Sequence, residues 1–328
     1  MIQAYHDGDP PLPPTLAGEE ILAESGGVPQ DSTHSSPPND LPFQENLWSA
    51  RLAIFAAAIL WSSSGLFAKL EVFHDWPADY RGVLLAFWRA LFAGLGVLPF
   101  VRRPVWRWSI LPMGLTFAAM TGSYLTALTL GTGANAIWIQ NTAPGWVFLC
   151  GVLWLRQPPD RGALVTLGTA VAGIGLIVVC ELTFSSTSHS HWGILCALVS
   201  AITYAGVIMQ LRRLRGEDSA WLVVCNQGIS VLTLLPLALW INVWPSAEQL
   251  AWLAAFGVLQ MGLPYLLFSR ALQKIDSQEA SIINLAEPLL LPVWAYVAVG
   301  EIPAWWTITG AGIILAGLLW RYRGAWRG

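Results

Sequence analysis

Glu287 is the residue from which chemistry can be argued first. It lies in QEASIINLAEPLLLPVWAYVAVGE, residues 278–301, a stretch otherwise long and apolar enough to cross a bilayer. An ionised side chain at that depth costs roughly 2.5–3.5 kcal/mol on insertion scales, so a carboxylate there marks a functional position. Ser277, Ser281, Asn284 and Glu287 follow at spacings of four, three and three, which puts them on one helical face. Pro288 removes a backbone donor directly after the carboxylate, and the carbonyl freed one turn back needs a neighbour or a wet cavity. A carboxyl group so placed can take up a proton or a cationic ligand in turn. Arg89, in FWRALFAG, is the one basic residue well inside an apolar segment. It can bind the carboxylate of a ligand, pair with Glu287, or carry its charge out to the interface.

Other candidates line up with these two. Gln140 precedes Asn284 by 144 positions and has Asn141 and Thr142 beside it; Asn226, followed by Gln227, stands where a repeat match places Arg89. Gln140, Asn284 and Glu287 are read as lining a cavity. The Ser and Thr members of the stripe are read as interhelical hydrogen bonds of ~0.6 kcal/mol each. Trp61, Tyr124, Trp138, Tyr204 and Tyr265 sit within apolar segments, where they can wall a pocket for an organic ligand or simply pack. No cofactor or metal is expected. The four cysteines make no CxxC pair or zinc spacing, and the five histidines lie outside the apolar segments, His189 and His191 in an expected loop at 182–192.

Ten apolar segments of about 18–23 residues must position these groups: 51–70, 82–101, 109–130, 133–154, 162–181, 193–212, 219–241, 249–270, 278–299 and 304–321. The chain is 55% hydrophobic and only 11% charged, with nineteen tryptophans. Soluble domains carry about a quarter charged residues, and tryptophan is favoured at membrane interfaces. The basic residues are scattered between apolar segments and make no nucleic-acid surface. With the amino terminus inside, fourteen of the seventeen basic residues fall in cytoplasmic loops or ends, against Lys69 and Arg81 outside. Both termini are therefore expected in the cytoplasm, the surrounding partner being the lipid bilayer of the cell membrane. Residues 1–47, with PPLPP and SSPPND, read as a disordered acidic tail; residues 1–50 hold eight acids and no Lys or Arg.

The chain repeats itself. Ala136, Ile139, Pro144 and Pro159 match Ala280, Ile283, Pro288 and Pro303 at an offset of 144, and Gly168 and Ala172-Gly173 match Gly312 and Ala316-Gly317. Earlier in each half Leu98-Pro99 matches Leu235-Pro236, and Lys69 matches Arg212. The expectation is an all-α integral membrane protein of ten transmembrane helices in two inverted five-helix repeats, 48–182 and 192–321. Five helices per half is odd, so the second half enters the membrane upside down, with a site near the midplane between the halves. The Gly168-x3-Ala172 and Gly312-x3-Ala316 pairs are expected to make close helix contacts inside the fold.

WSSSG at 61–65, ALTLGTGANAIWIQNTAPGWVF at 127–148, ALQKIDSQEASIINLAEPLLLP at 271–292, VGE at 299–301 and GAGIILAG at 310–317 resemble the EamA-type branch of the drug/metabolite transporter superfamily. The resemblance covers about 51–321. It implies the ten-helix transporter fold and leaves the substrate open, since that family exports very different metabolites. One departure stands out: where the first repeat of the family ends its fourth helix with a Glu like Glu301, this chain has Gln157 beside Arg156.

The reading is a secondary transporter of a small organic metabolite, exporting it in exchange for protons by alternating access. No Walker motif or GxGxxG is present. The rivals are an integral-membrane enzyme, for which no nucleophile–base pair or metal cluster is visible, and a non-transporting sensor or structural protein.

Overall fold

The computed structural model describes residues 41–153, 161–184, 188–214, 216–272, 274–275 and 277–322. Among them there are helices and no strands. The ten expected segments each become one helical passage, numbered here as spans. Span 1 is α1 (Leu41–Ser62) with α2 (Ser64–Ala68), span 2 is α3 (Ala78–Val97), and span 3 is α4 (Ile110–Leu130). Span 4 is α5 (Gly133–Gln140) with α6 (Ala143–Leu153), span 5 is α7 (Arg161–Phe184), and span 6 is α8 (Ser188–Arg213). Span 7 is α9 (Ser219–Ile241). Span 8 joins α10 (Ala247–Ala255), a π turn (Phe256–Gly262) and α11 (Leu263–Ala271). Span 9 is α12 (Ser277–Asn284) with α13 (Ala286–Val299), and span 10 is α14 (Trp305–Tyr322).

Seven passages are long and apolar enough to cross a membrane outright, and Ala286–Val299 and Trp305–Trp320 are shorter apolar helices. α4, 21 residues without a charged side chain, completes the ten. Large apolar residues such as Leu232, Trp240 and Trp305 are more than 60% exposed on the perimeter, a surface that only lipid solvates well.

The packing repeats as the sequence does. Span 3 lies on span 6, and span 8 on span 1. Span 7 packs on span 3 as span 2 packs on span 8, and span 4 on span 6 as span 9 on span 1. Spans 2 and 7, 4 and 9, and 5 and 10 meet their own mates. Matched contacts of this kind are what a pseudo-twofold relation between two inverted halves produces.

Three expectations are corrected. α1 begins at Leu41, inside the stretch assigned to the tail. The loop expected at 182–192 is mostly helix, since α7 runs to Phe184 and α8 starts at Ser188, with 185–187 outside the described residues. The contact between spans 5 and 10 does not use Gly168 and Gly312, which have open space where a Cβ would stand. It uses Gly173 and Gly310, where an added Cβ would fall 2.7–2.9 Å from the other glycine's carbonyl oxygen.

Spans 4 and 9 break at matched places. α5 stops at Gln140 and α12 at Asn284, four residues before Pro144 and Pro288. A proline cannot donate to the carbonyl four residues back, so each helix loses a bond at that point. In span 4, side chains take up nearby carbonyls: Asn141 Nδ2 donates to Ile137 O at 2.9 Å and Thr142 Oγ1 to Ile139 O at 2.6 Å.

Candidate functional site

The break in span 9 sets Asn284 at the end of α12 and Glu287 in the first turn of α13, one turn apart. Asn284 Nδ2 donates to Glu287 Oε2 at 3.2 Å. The Oδ1 of Asn284 is buried with no hydrogen-bond partner. Two acceptor groups thus lie side by side at a helix break; the carboxylate can take up a proton, and both can accept from an ammonium group. Ser277 and Ser281 belong to the same stripe, but their side chains lie outside the described set.

Arg89, in span 2, is 3% exposed. It neither reaches an interface nor pairs with Glu287. Its guanidinium donates to Gln260 Oε1 at 3.2 Å and to Thr121 Oγ1, and lies 5.2 Å from the ring centre of Phe256. Among the described residues no carboxylate forms an ion pair with it. Span 8 holds it in place. An added Cβ on Gly257 would stand 2.6 Å from Phe92 Cβ and 2.7 Å from Arg89 O, so only glycine lets the two backbones approach this closely. Three residues later, Gln260 meets Arg89 and also donates to the Trp61 carbonyl at 3.0 Å, beside the break in span 1. Pro264 cannot donate to the Gln260 carbonyl, which accounts for an irregular turn at this place.

Two tyrosines, Tyr124 and Tyr265, lie within electrostatic reach of both charged groups. Tyr124 Oη lies 3.1 Å from Ser64 Oγ, Tyr265 meets Trp61 edge-on at 5.2 Å, and Trp61 also touches Phe268 at 5.3 Å. Trp294 donates to Ser62 Oγ at 2.8 Å and joins span 9 to the break in span 1.

Of the ten candidates, Glu287, Asn284, Arg89, Trp61, Tyr124 and Tyr265 are linked in this way. The other four are placed elsewhere. Gln140, 8% exposed, donates to Ser200 Oγ of span 6 at 2.6 Å. Asn141 is occupied with its own helix. Trp138 lines a cavity of about 270 Å³ with Ala134, Pro288, Pro292, Thr307 and Ala311, between spans 4, 9 and 10. Asn226, on span 7, keeps a buried Oδ1 without a partner, as does the Nε2 of Gln227 beside it.

Some residues of this interior had no prior signal. Gln260 and Thr121 are uncharged polar residues in apolar helices, and nothing local ties them to Arg89. Glu181 is 5% exposed, and its Oε2 accepts from Asn135 Nδ2 at 3.0 Å and from Trp306 Nε1 at 3.1 Å. Nearby, Glu301 pairs with Lys69 and accepts from the Gly133 N–H at 2.7 Å, while Lys69 also donates to Gly131 O at 3.2 Å. This knot joins spans 1, 4 and 9 at the end away from most basic loops. Its repeat counterpart includes Gln157, which lies outside the described residues.

Comparison with known proteins gives one consistent result. The model of the EamA-like transporter family matches the chain twice, over residues 48–179 and 191–322. A protein of Archaeoglobus fulgidus named an uncharacterized transporter is 30% identical over 244 residues, 73% of this chain and 86% of its own. The uncharacterized transporter YxxF of Bacillus subtilis is 24% identical over 185 residues, 56% of this chain and 59% of its own. A solved crystal structure with 17% identity superposes at a TM-score of 0.59, covering 83% of this chain and 95% of that one.

Proposed function

The chain belongs to the EamA-like transporter family and is a multi-pass membrane transporter; from that we propose that it exports a small zwitterionic or cationic organic metabolite in exchange for protons, by alternating access. The observation that carries this reading is a pair of buried groups of opposite character, a guanidinium held only by neutral partners among the described residues and a carboxylate beside an unpartnered amide oxygen. Arg89 is buried with no described carboxylate against it, and Asn284 Oδ1 beside Glu287 lacks a donor. A substrate carboxylate satisfies the guanidinium through a charge-assisted bond. A substrate ammonium satisfies Glu287 and Asn284. Trp61, Tyr124 and Tyr265 close around the organic part.

Exchange follows from competition for Glu287. With substrate bound, the carboxylate faces an ammonium; once substrate leaves, a proton takes its place on Glu287, while Arg89 keeps its bonds to Gln260 and Thr121. Broken spans 4 and 9 meet their own mates across the pseudo-twofold, as an alternating-access pair of inverted repeats requires. In this reading residues 48–182 and 192–321 are the two repeats, the tail is separate from the transport body, the protein lies in the cell membrane with both termini cytoplasmic, and it performs no enzymatic step.

The test is uptake into sealed proteoliposomes under an imposed pH gradient, with the substrate first found by comparing metabolite efflux from cells with and without the protein. Glu287→Gln keeps shape and most hydrogen bonds but cannot ionise. It should insert normally and lose at least roughly tenfold of gradient-driven accumulation, the equivalent of about 1.4 kcal/mol. A variant that still concentrates substrate with unchanged pH dependence rules proton coupling at this site out.

A further inference from the structure

The loop between spans 2 and 3, VRRPVWRWS at 101–109, has no part in the interior site. Residues 102–109 are all exposed, with Trp106 at 48% and Trp108 at 79%, their rings meeting edge-on at 6.3 Å. The loop is nevertheless held firmly by span 7. Asp218 Oδ2 accepts from the backbone N–H groups of Arg102 at 2.7 Å and Arg103 at 2.9 Å. Trp221 Nε1 donates to Val105 O at 2.7 Å, and Arg107 pairs with Glu217. The backbone is fixed while the guanidinium groups of Arg102 and Arg103 keep no partner among the described residues. Next to the loop, Arg270 lies 5.8 Å from the ring centre of Phe100. Guanidinium groups and indole rings presented together on a fixed frame match the phosphate–glycerol boundary of a bilayer, the one binding phosphate, the other seating at headgroup level.

The repeat supplies the contrast. The loop between spans 7 and 8, residues 242–246, carries the exposed Trp244, 62% exposed, but no basic residue. The aromatic anchor is present in both of these matched loops and the guanidinium groups in one. We propose that residues 101–109 form a docking site for the phosphate groups of anionic phospholipids in the leaflet at that end. The rival occupant is the chain's own residues 1–40, with seven acids and no Lys or Arg. The tryptophans decide for lipid, because an acidic peptide would engage the arginines and leave two exposed indoles without a role.

The full chain, purified in a neutral detergent, is heated with added phosphatidylglycerol, phosphatidylcholine or inorganic phosphate. Phosphatidylglycerol should raise the unfolding midpoint, and the other two should not. Arg102→Gln/Arg103→Gln keeps the backbone bonds to Asp218, so its midpoint without lipid should match the parent; it should lose at least half of the phosphatidylglycerol shift. Arg161→Gln, an exposed arginine at the same end, should keep the shift. Equal shifts in parent and double variant, an equal response to phosphatidylcholine or inorganic phosphate, or an equal loss in Arg161→Gln overturns the proposal. A lipid response that emerges only when residues 1–40 are deleted assigns the loop to the tail and overturns it as well.

Discussion

A guanidinium buried as deeply as that of Arg89 gives up several kcal/mol of hydration, and the neutral groups of Gln260 and Thr121 return only part of it. Asp218 shows the opposite economy, at the surface. Burial alone would raise its pKa, but the backbone N–H groups of Arg103, Arg102, Ala220 and Trp221 together hold it below the ordinary value. Because the folded value lies under the unfolded one of about 3.9, its contribution is complete above roughly pH 4 and is lost as pH falls through the folded value. Asp218 is also the N-cap of α9. Asp218→Ala should therefore cost about 1 kcal/mol near neutral pH, read as a lower unfolding midpoint, and the gap to the parent should shrink below pH 4. A gap independent of pH would mean that the charge contributes nothing. Residues of this kind divide sharply by legibility. Glu287, Asn284 and Arg89 stand out in sequence because their types are costly in hydrocarbon. Gln260 does not, since its role depends on Arg89, 171 positions away, and on the Trp61 carbonyl, 199 away. Gln140 reads as a cavity residue by its repeat match, yet the structure spends it on Ser200, a partner that no repeat offset points to.

At the scale of elements, the paired breaks in spans 4 and 9 were legible because Pro144 and Pro288 fix which backbone bond is missing. The π turn in span 8 was not, because it needs Gly257 packed against span 2 as well as Pro264. The ends of the bundle are tied unequally. Lys69 and Glu301 are 15% and 12% exposed, and Glu301 also caps α5 through Gly133. Arg51 and Glu279, tying spans 1 and 9 at the basic end at 2.5 Å, are 39% and 34% exposed. Exposed pairs contribute about 0–1 kcal/mol, whereas breaking one side of a buried pair costs about 3–5. The knot at Glu301 is therefore the firmer closure, and a carrier at rest should be shut at that end. Glu301→Gln should shift the balance toward opening there by roughly 100-fold or more if the full penalty falls on the closed state. With the four native cysteines replaced, a cysteine at Ala134, which is 1% exposed, reports it by labelling with an impermeant thiol reagent. Labelling should rise in Glu301→Gln and fall again in the exchanged pair Lys69→Glu/Glu301→Lys. Unchanged labelling would leave the knot as a structural tie only.

For the whole molecule, inverted repeats pose a problem that packing cannot solve. Two halves related by a pseudo-twofold in the membrane plane present nearly the same shape in either orientation, so apolar burial and helix contacts favour neither. Charge breaks the tie. The described loops and helix ends at one end of the bundle contain Arg51, Arg102, Arg103, Arg107, Arg161, Arg213, Arg270 and Lys274, and the other end contains Lys69 and Arg81. Lys69 is also neutralised in part by Glu301. Basic residues in short loops stay on the cytoplasmic side during insertion, so the end carrying the 101–109 loop should face the cytoplasm, and the amino terminus with it. Two exposed positions report this without touching either ion-pair knot: Gly216, whose Cβ position is open, and His74 at the far end. In a background without native cysteines, His74→Cys should label with an impermeant reagent added to intact cells, and Gly216→Cys only after permeabilisation. The reverse pattern would place the basic end outside, and a mixture of both in one preparation would mean that the charge difference is too small to choose.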